Sequence, residues 1–260
     1  MVLPKSLTLP AEALVRMVAL ENLGELHVTL RPPAVWRPKQ TQQEVETRTR
    51  AEFARMGLFD RRGRLDVELV ASLAVLCRAG AEFYGWISDG EKTVGVLAAA
   101  IGREAILAVR DGQSVSLRQI RPEMLPEALV GQAKEVPPGR GDAFSLLRSE
   151  ALASVGGRQQ TEAGVGTRPA SAEVRLAQKI AELPTKGGGQ LYVAVRDSVG
   201  RRRASEQPLR YADTERGRWL NHTTSAGNGD HRVLIAPAGP RDLVARLQEM
   251  HRTLTGHRGR

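Results

Sequence analysis

The succession of elements constrains this chain more than any single motif does. Read by hydrophobic period, a helix, four strand-like runs and a proline-initiated helix occur twice in the same order. In the first series Asp66 can cap a helix whose Leu65, Leu69, Leu73 and Leu76 mark a buried face, with Gly80 closing it. The runs Phe83 to Ser88, Val94 to Ala100, Ile106 to Val109 and Val115 to Ile120 follow, separated by Asp89-Gly90, Gly102 and Asp111-Gly112. Asp-Gly pairs supply the positive φ that two-residue hairpin turns demand, so a meander is expected. The second series runs from a helix over 172–183 through Leu191 to Arg196, the stretch around Leu209 and Tyr211, Arg218 to Asn221, and Val233 to Ala236. Pro122 and Pro240 open the two closing helices, each with Leu three residues on (Leu125, Leu243) and Leu again after four more (Leu129, Leu247). This pattern predicts an α+β fold with a central antiparallel β-sheet and an internal quasi-twofold repeat of helix, four strands and helix. It places the two pseudo-repeats at about 1–135 and 168–260 of a single 1–260 domain.

Between them, 136–167 reads as a flexible connection, because Val136-Pro-Pro-Gly-Arg-Gly-Asp142 and the stretch 156–167 are polar and glycine-rich around an apolar Phe144 to Leu152 piece. Ahead of the first series, Leu7-Thr-Leu-Pro10 predicts a short strand running into a helix near 10–22, with Leu14, Val15 and Val18 as one stripe. Thr41-Gln-Gln-Glu44 is a capping-box sequence, and Val45, Thr49 and Phe53 continue its helix to Gly57. Aromatic residues make up only 4% of the chain against 41% hydrophobic, so the core must come from Leu, Val and Ala. The single cysteine, Cys77, excludes an intramolecular disulfide and is expected as a small buried hydrophobe. With Pro10, Glu12 and Arg16 interrupting the N-terminal stretch, no signal peptide is read, and the longest apolar run, Val94 to Ile101, is strand-sized. A cytoplasmic protein that does not insert into membranes is expected.

The net charge is +9, and of 38 basic residues only six are Lys, leaving 32 Arg. Such a balance attracts phosphate backbones or acidic proteins at long range. Its sharpest local expression is Arg201-Arg202-Arg203, in an expected hairpin loop after Val199-Gly200, which reads either as a solvated tip or as a grip for an acidic group. A basic nucleic-acid-binding regulator is therefore the alternative function. Against it stand the lack of interleaved aromatics, of a helix-turn-helix and of an RNP-type strand. No cofactor, metal or catalytic site is readable. His27, His222, His231, His251 and His257 show no zinc-site spacing. Gly187-Gly-Gly189 precedes a strand rather than a helix, so it is expected as a loop into that strand and not as a phosphate cradle. Asp60, Asp66, Asp89, Asp111, Asp197 and Asp213 are expected at turns or caps. One echo stands out: Ala-Val-Arg-Asp occurs at 108–111 and 194–197, placing Arg110 and Arg196 at strand ends beside turn acids.

Leu7-Thr-Leu-Pro-Ala-Glu-Ala-Leu14, Gly57-Leu-Phe-Asp60, Ala105 to Gly112, Tyr211-Ala-Asp-Thr-Glu-Arg-Gly-Arg-Trp219 and Val233-Leu-Ile-Ala-Pro-Ala238 together resemble the EspG family of actinobacterial type VII (ESX) secretion chaperones. The resemblance spans almost the whole chain and rests on order and spacing rather than on a catalytic motif. It implies one α+β unit with a central antiparallel sheet, two helical bundles and a quasi-twofold repeat. It also implies a cytosolic, non-enzymatic adapter; a monomer or weak homodimer is expected. Such an adapter binds the helical tip of PE/PPE-like or other helical-hairpin secretion substrates without a cofactor and targets them for export. The family has no sharp partner-binding signature, and the strands and loops of the expected sheet offer Arg110, Arg196, Arg201, Arg202, Arg203 and Tyr211 as partner-binding residues, while Trp86 and Trp219 read better as core.

Overall fold

The computed structural model describes residues 6–33, 47, 51, 53–55, 57–59, 62–156, 170–227 and 229–256. Its contacts gather into two compact units, one of Met1–Trp86, Val94–Leu129 and Ala194–Arg203, the other of Ile87–Thr93, Val130–Val193 and Ala204–Arg260.

In the first unit β1 (Leu7–Pro10) leads directly into α1 (Ala11–Leu20), with Pro10 at the N-cap. Then come α2 (Val67–Arg78), β2 (Ala81–Ser88), β3 (Thr93–Ile101), β4 (Glu104–Asp111) and β5 (Ser114–Gln119). A short 3-10 turn, Pro122–Met124, opens α3 (Leu125–Val130). The strands lie in the order β1-β5-β4-β3-β2, so the expected meander holds and β1 adds to its far side through Leu7 opposite Leu117. Asp66 caps α2 by accepting from Glu68 N and Leu69 N at 2.9 and 3.2 Å. Gly102 and Gly112, both at φ 57, take the first position of two-residue loops that close Ile101 opposite Glu104 and Asp111 opposite Ser114. Gly95 to Ala100 are buried without a break, which is why this strand reads as a continuous apolar run. Of the expected helix after Thr41, Thr47, Ala51 and Phe53–Arg55 are helical, and its capping box lies outside the described residues.

The second unit contains β6 (Phe144–Leu147), α4 (Arg148–Gly156), α5 (Ala172–Ala181), most of β7 (Thr185–Arg196), β9 (Leu209–Thr214), β10 (Gly217–Gly227), β11 (Asp230–Pro237) and α6 (Pro240–Gly256). The short β8 (Arg202–Ala204) pairs with β7. Here the order is β7-β9-β10-β11-β6, again antiparallel at each pairing of known register. Ser171 caps α5, and α6 buries Leu243, Leu247 and Met250.

Two expectations need correction. The stretch 136–167 is not wholly a connection: Phe144–Leu147 pairs with β11 and Pro138 bridges Arg218, while 157–169 lie outside the described residues. The apolar Phe144-Ser-Leu-Leu147 supplies the strand, and its glycine-rich flanks hide it. Gly187–Gly189 is likewise no loop but the body of β7, paired with Tyr211 to Asp213. Glycine is required there because an added Cβ would stand 2.7 Å from Ser88 O at Gly187 and 2.6 Å from Tyr211 O at Gly188. The core is mainly aliphatic, as the composition demands, and the largest of its fully enclosed side chains is a charged one, Arg218.

Candidate partner-binding site

The repeated Ala-Val-Arg-Asp sequence makes the same local device twice. Arg110, at the end of β4, donates through Nε to Thr29 O at 3.1 Å and through Nη1 to Gly112 O, also at 3.1 Å. Arg196, at the end of β7, donates through Nε to Ala79 O at 3.3 Å and through Nη1 to Gly200 O at 2.9 Å. In each case one guanidinium ties the glycine of the next turn to a separate segment of chain. Both side chains are half-buried, so these two candidates act chiefly as staples. Two parallel N–H donors in a fixed fork suit this work, and a lysine could not reproduce it.

Beneath the second staple lies a carboxylate the sequence did not mark. Glu82 on β2 is 4% exposed and takes Arg202 Nε at 2.8 Å and Arg202 Nη2 at 2.7 Å, with Arg196 Nη2 at 4.0 Å. The Arg202 guanidinium also lies 5.3 Å over the Tyr84 ring. Both Arg202 nitrogens reach the same oxygen, Oε2, and charge-assisted contacts of this kind are the strong class of hydrogen bond. Nothing in the sequence around Glu82 separates it from an ordinary strand acid, because its arginine partners lie more than a hundred residues away.

The hairpin between β7 and β8 is therefore built rather than loose. Gly200 N donates to Asp197 O at 3.0 Å across a turn centred on Ser198 and Val199, and Asp197 N donates to Arg201 O at 3.1 Å. Gly200 takes φ 82, as a three-residue hairpin loop with a glycine bulge requires. Asp197 Oδ1 accepts from Val199 N at 3.1 Å and Arg201 N at 2.8 Å, so this acid does perform the expected turn chemistry. Of the three consecutive arginines, Arg202 turns in to Glu82, Arg201 faces solvent and Arg203 is half-buried. The tip residue, Val199, is 85% exposed.

His27 completes the surroundings of Glu82. Its Nδ1 accepts from Thr29 N at 3.3 Å, which leaves the ring proton on Nε2, and that atom stands 3.6 Å from Glu82 Oε2. Burial, reinforced by the Arg202 and Arg31 cations, pushes its pKa down to about 3. Below about pH 6.5 the unfolded chain therefore binds a proton that the folded one refuses, and stability falls with pH by up to about 1.4 kcal/mol per unit. Between pH 6.5 and 5 this amounts to roughly 1.6 kcal/mol. Burial lowers His222 and His251 as well, so the measurement is a difference: urea unfolding of wild type and His27→Asn across that range. The variant should lose the share of the slope that His27 contributes; parallel curves would show that His27 takes up its proton as readily in the fold as in the unfolded chain.

In the second unit the remaining candidate, Tyr211, is 5% exposed and lies under Arg218, whose guanidinium is 4.5 Å from the ring centroid. Burial raises the phenol well above its ordinary pKa. Arg218 in turn grips Asp213, opposite it in the β9–β10 ladder, through Nε–Oδ1 at 2.5 Å and Nη2–Oδ2 at 2.9 Å, and donates to Lys134 O at 2.7 Å. Asp213 thus departs from the expected turn role and is the counter-ion of a buried cation. Trp219, on the opposite face of the strand, is 6% exposed, as expected of core; a Cβ on Gly139 would stand 2.4 Å from its indole. Within the first unit Arg196 and Arg201–Arg203 share one hairpin while Arg110 staples another part, and Tyr211 belongs to the second unit.

Among the described residues no three His, Cys, Asp or Glu side chains are arranged to hold a metal ion, and no helix is long and apolar enough to cross a membrane. Cys77 is only half-buried, and partial burial pushes its thiol up to about 11, away from the nucleophilic range.

No curated protein matches this chain. Among solved structures, the type VII secretion system chaperone EspG5 of Mycobacterium tuberculosis, solved in complex with a PE25–PPE41 dimer, is similar with a TM-score of 0.69, covering 96% of each chain at 15% identity. At that identity the likeness is one of fold. A model of the EspG family matches residues 10–249, a span that runs from the start of α1 into α6. On that match, and with the α+β architecture that the family resemblance implied, this chain belongs to the EspG family.

Proposed function

We propose that this protein is a cytoplasmic chaperone of type VII secretion that binds the helical tip of a PE/PPE-like or other helical-hairpin substrate, keeps it soluble and targets it for export. The family match over 10–249 carries this reading, supported by the shared fold with EspG5, whose structure was solved with a PE25–PPE41 dimer. The interior chemistry agrees with gripping rather than turnover. Among the described residues the two buried carboxylates, Glu82 and Asp213, are each held by arginines on the same unit, an arrangement that fixes strands and loops and leaves no poised acid or base at either place. Binding is stoichiometric and needs no cofactor. The two successions of helix, strands and helix form an internal quasi-twofold repeat in this reading, and the protein works as a monomer or weak homodimer.

Co-expression with each small helical protein encoded beside it should yield a complex that survives size-exclusion chromatography. Failure with every such neighbour counts against the chaperone role. Salt-sensitive retention of DNA or RNA at sub-micromolar concentration would instead favour the regulatory alternative that the +9 charge raises.

A further inference from the structure

The hairpin at 197–203 is held by four restraints. Its turn is closed by the Asp197 main chain, its bulge by Gly200, its Asx hydrogen bonds by the Asp197 carboxylate, and its base by Arg196 and Arg202 on the buried Glu82. What this scaffold holds outward is unusual in composition. Val199, 85% exposed, is the most exposed large hydrophobic residue described, and the Arg201 cation stands beside it. Water gains nothing from a fixed apolar tip, and a merely solvated loop needs neither the rigidity nor the buried carboxylate. A rigid apolar point beside a cation, held before the partner arrives, is what lowers the ordering cost of docking.

We propose that the 197–203 hairpin is a docking element that offers Val199 to an apolar notch and Arg201 to an acidic group on a helical client, and that Glu82 positions it through Arg202 and Arg196. The assignment rests on the chaperone reading for the nature of the partner. The partner's chemistry follows from charge: Arg202 is spent on Glu82, so the outward cation at the tip is Arg201, and a complementary client presents carboxylates or helix C-terminal carbonyls beside small apolar side chains. Glu82 touches no client; it acts by keeping the tip in one conformation.

The test uses the full chain co-expressed with the helical proteins encoded beside it, and the chain alone. Val199→Ser and Arg201→Glu alter exposed side chains and leave the fold intact, and each should weaken the client complex by about tenfold or more. For Arg201→Glu the loss should shrink between roughly 0.1 and 1 M salt, over which the screening length falls from about 10 to about 3 Å. Glu82→Gln should speed amide hydrogen exchange at Val199 and Arg201 by about tenfold in the chain alone and weaken the client several-fold, because the tip must be re-ordered on binding. Val67→Ser, at a 77%-exposed site on α2, serves as the control and should change neither reading. A client that binds the Val199 and Arg201 variants like wild type overturns the docking role while the chaperone reading stands. Unchanged exchange in Glu82→Gln overturns the positioning role whatever the client does. A wild-type chain that captures none of these proteins overturns the chaperone reading, and the docking role with it.

Discussion

Asp213→Ala should be among the most damaging substitutions available to this protein, costing about 3–5 kcal/mol because it leaves the fully buried Arg218 cation without its counter-ion. Arg218 has no route to solvent: its main chain is pinned on both sides by Pro137 O and Gly139 N, and its guanidinium is stacked on Tyr211 and bonded to Lys134 O. In thermal melts the loss should appear as a fall of roughly 10 °C, given that 1 kcal/mol shifts a domain of this size by about 2–4 °C. The double variant Asp213→Leu with Arg218→Met separates the penalty of an unpaired charge from the worth of the pair. Well-packed apolar replacements of buried ion pairs are often neutral, so the double variant should be markedly more stable than the single one. A single variant that melts within a degree or two of wild type would mean that water reaches the Arg218 guanidinium.

Gly95→Ala should be nearly as costly, by a different route. An alanine Cβ there would stand 2.0 Å from Thr29 O and 3.0 Å from its carbonyl carbon, both main-chain atoms of a buried turn. The Val28–Leu30 turn must move off the strand, and Arg110 then loses the same carbonyl as an acceptor. Overpacking of this kind costs about 1–3 kcal/mol and more when main chain has to yield, so a value at or above about 3 kcal/mol is expected. Gly102→Ala is the informative comparison, because it meets nothing within 4 Å and suffers only its φ of 57. Its cost should be about 1–2 kcal/mol. Equal urea midpoints for the two variants would show that the Thr29 turn is pliable.

The fold was legible wherever hydrophobic period and turn chemistry agreed. The β2–β5 meander, the Asp66 and Ser171 caps and the Leu243/Leu247 face of α6 all declare themselves within a few residues of sequence. Strands whose reasons lie elsewhere in the chain stayed hidden. Gly187–Gly189 is strand because Ser88 and Tyr211 carbonyls crowd it, and the outer half of β10, His222 to Gly227, is too polar to show an apolar alternation. The candidate site followed the same rule. The Ala-Val-Arg-Asp echo and the triple arginine pointed to the right hairpin, but Glu82, which organises it, is separated from Arg202 by 120 positions. Asp213 looked like a turn acid because it precedes Thr214-Glu-Arg-Gly217; only the cross-strand register reveals Arg218 opposite it.

The internal engagement of the arginines also bears on what a formal charge of +9 can accomplish. Arg110, Arg196, Arg202 and Arg218 keep their full charge, so a polyanion is drawn toward the molecule from afar. Yet each already spends two or more of its N–H groups on carbonyl or carboxylate oxygens of its own chain. Bidentate capture of a phosphate needs a guanidinium with both tines open. These four guanidiniums attract without clasping, and a polyanion drawn to them should be held briefly, without selectivity, and be easily displaced by salt.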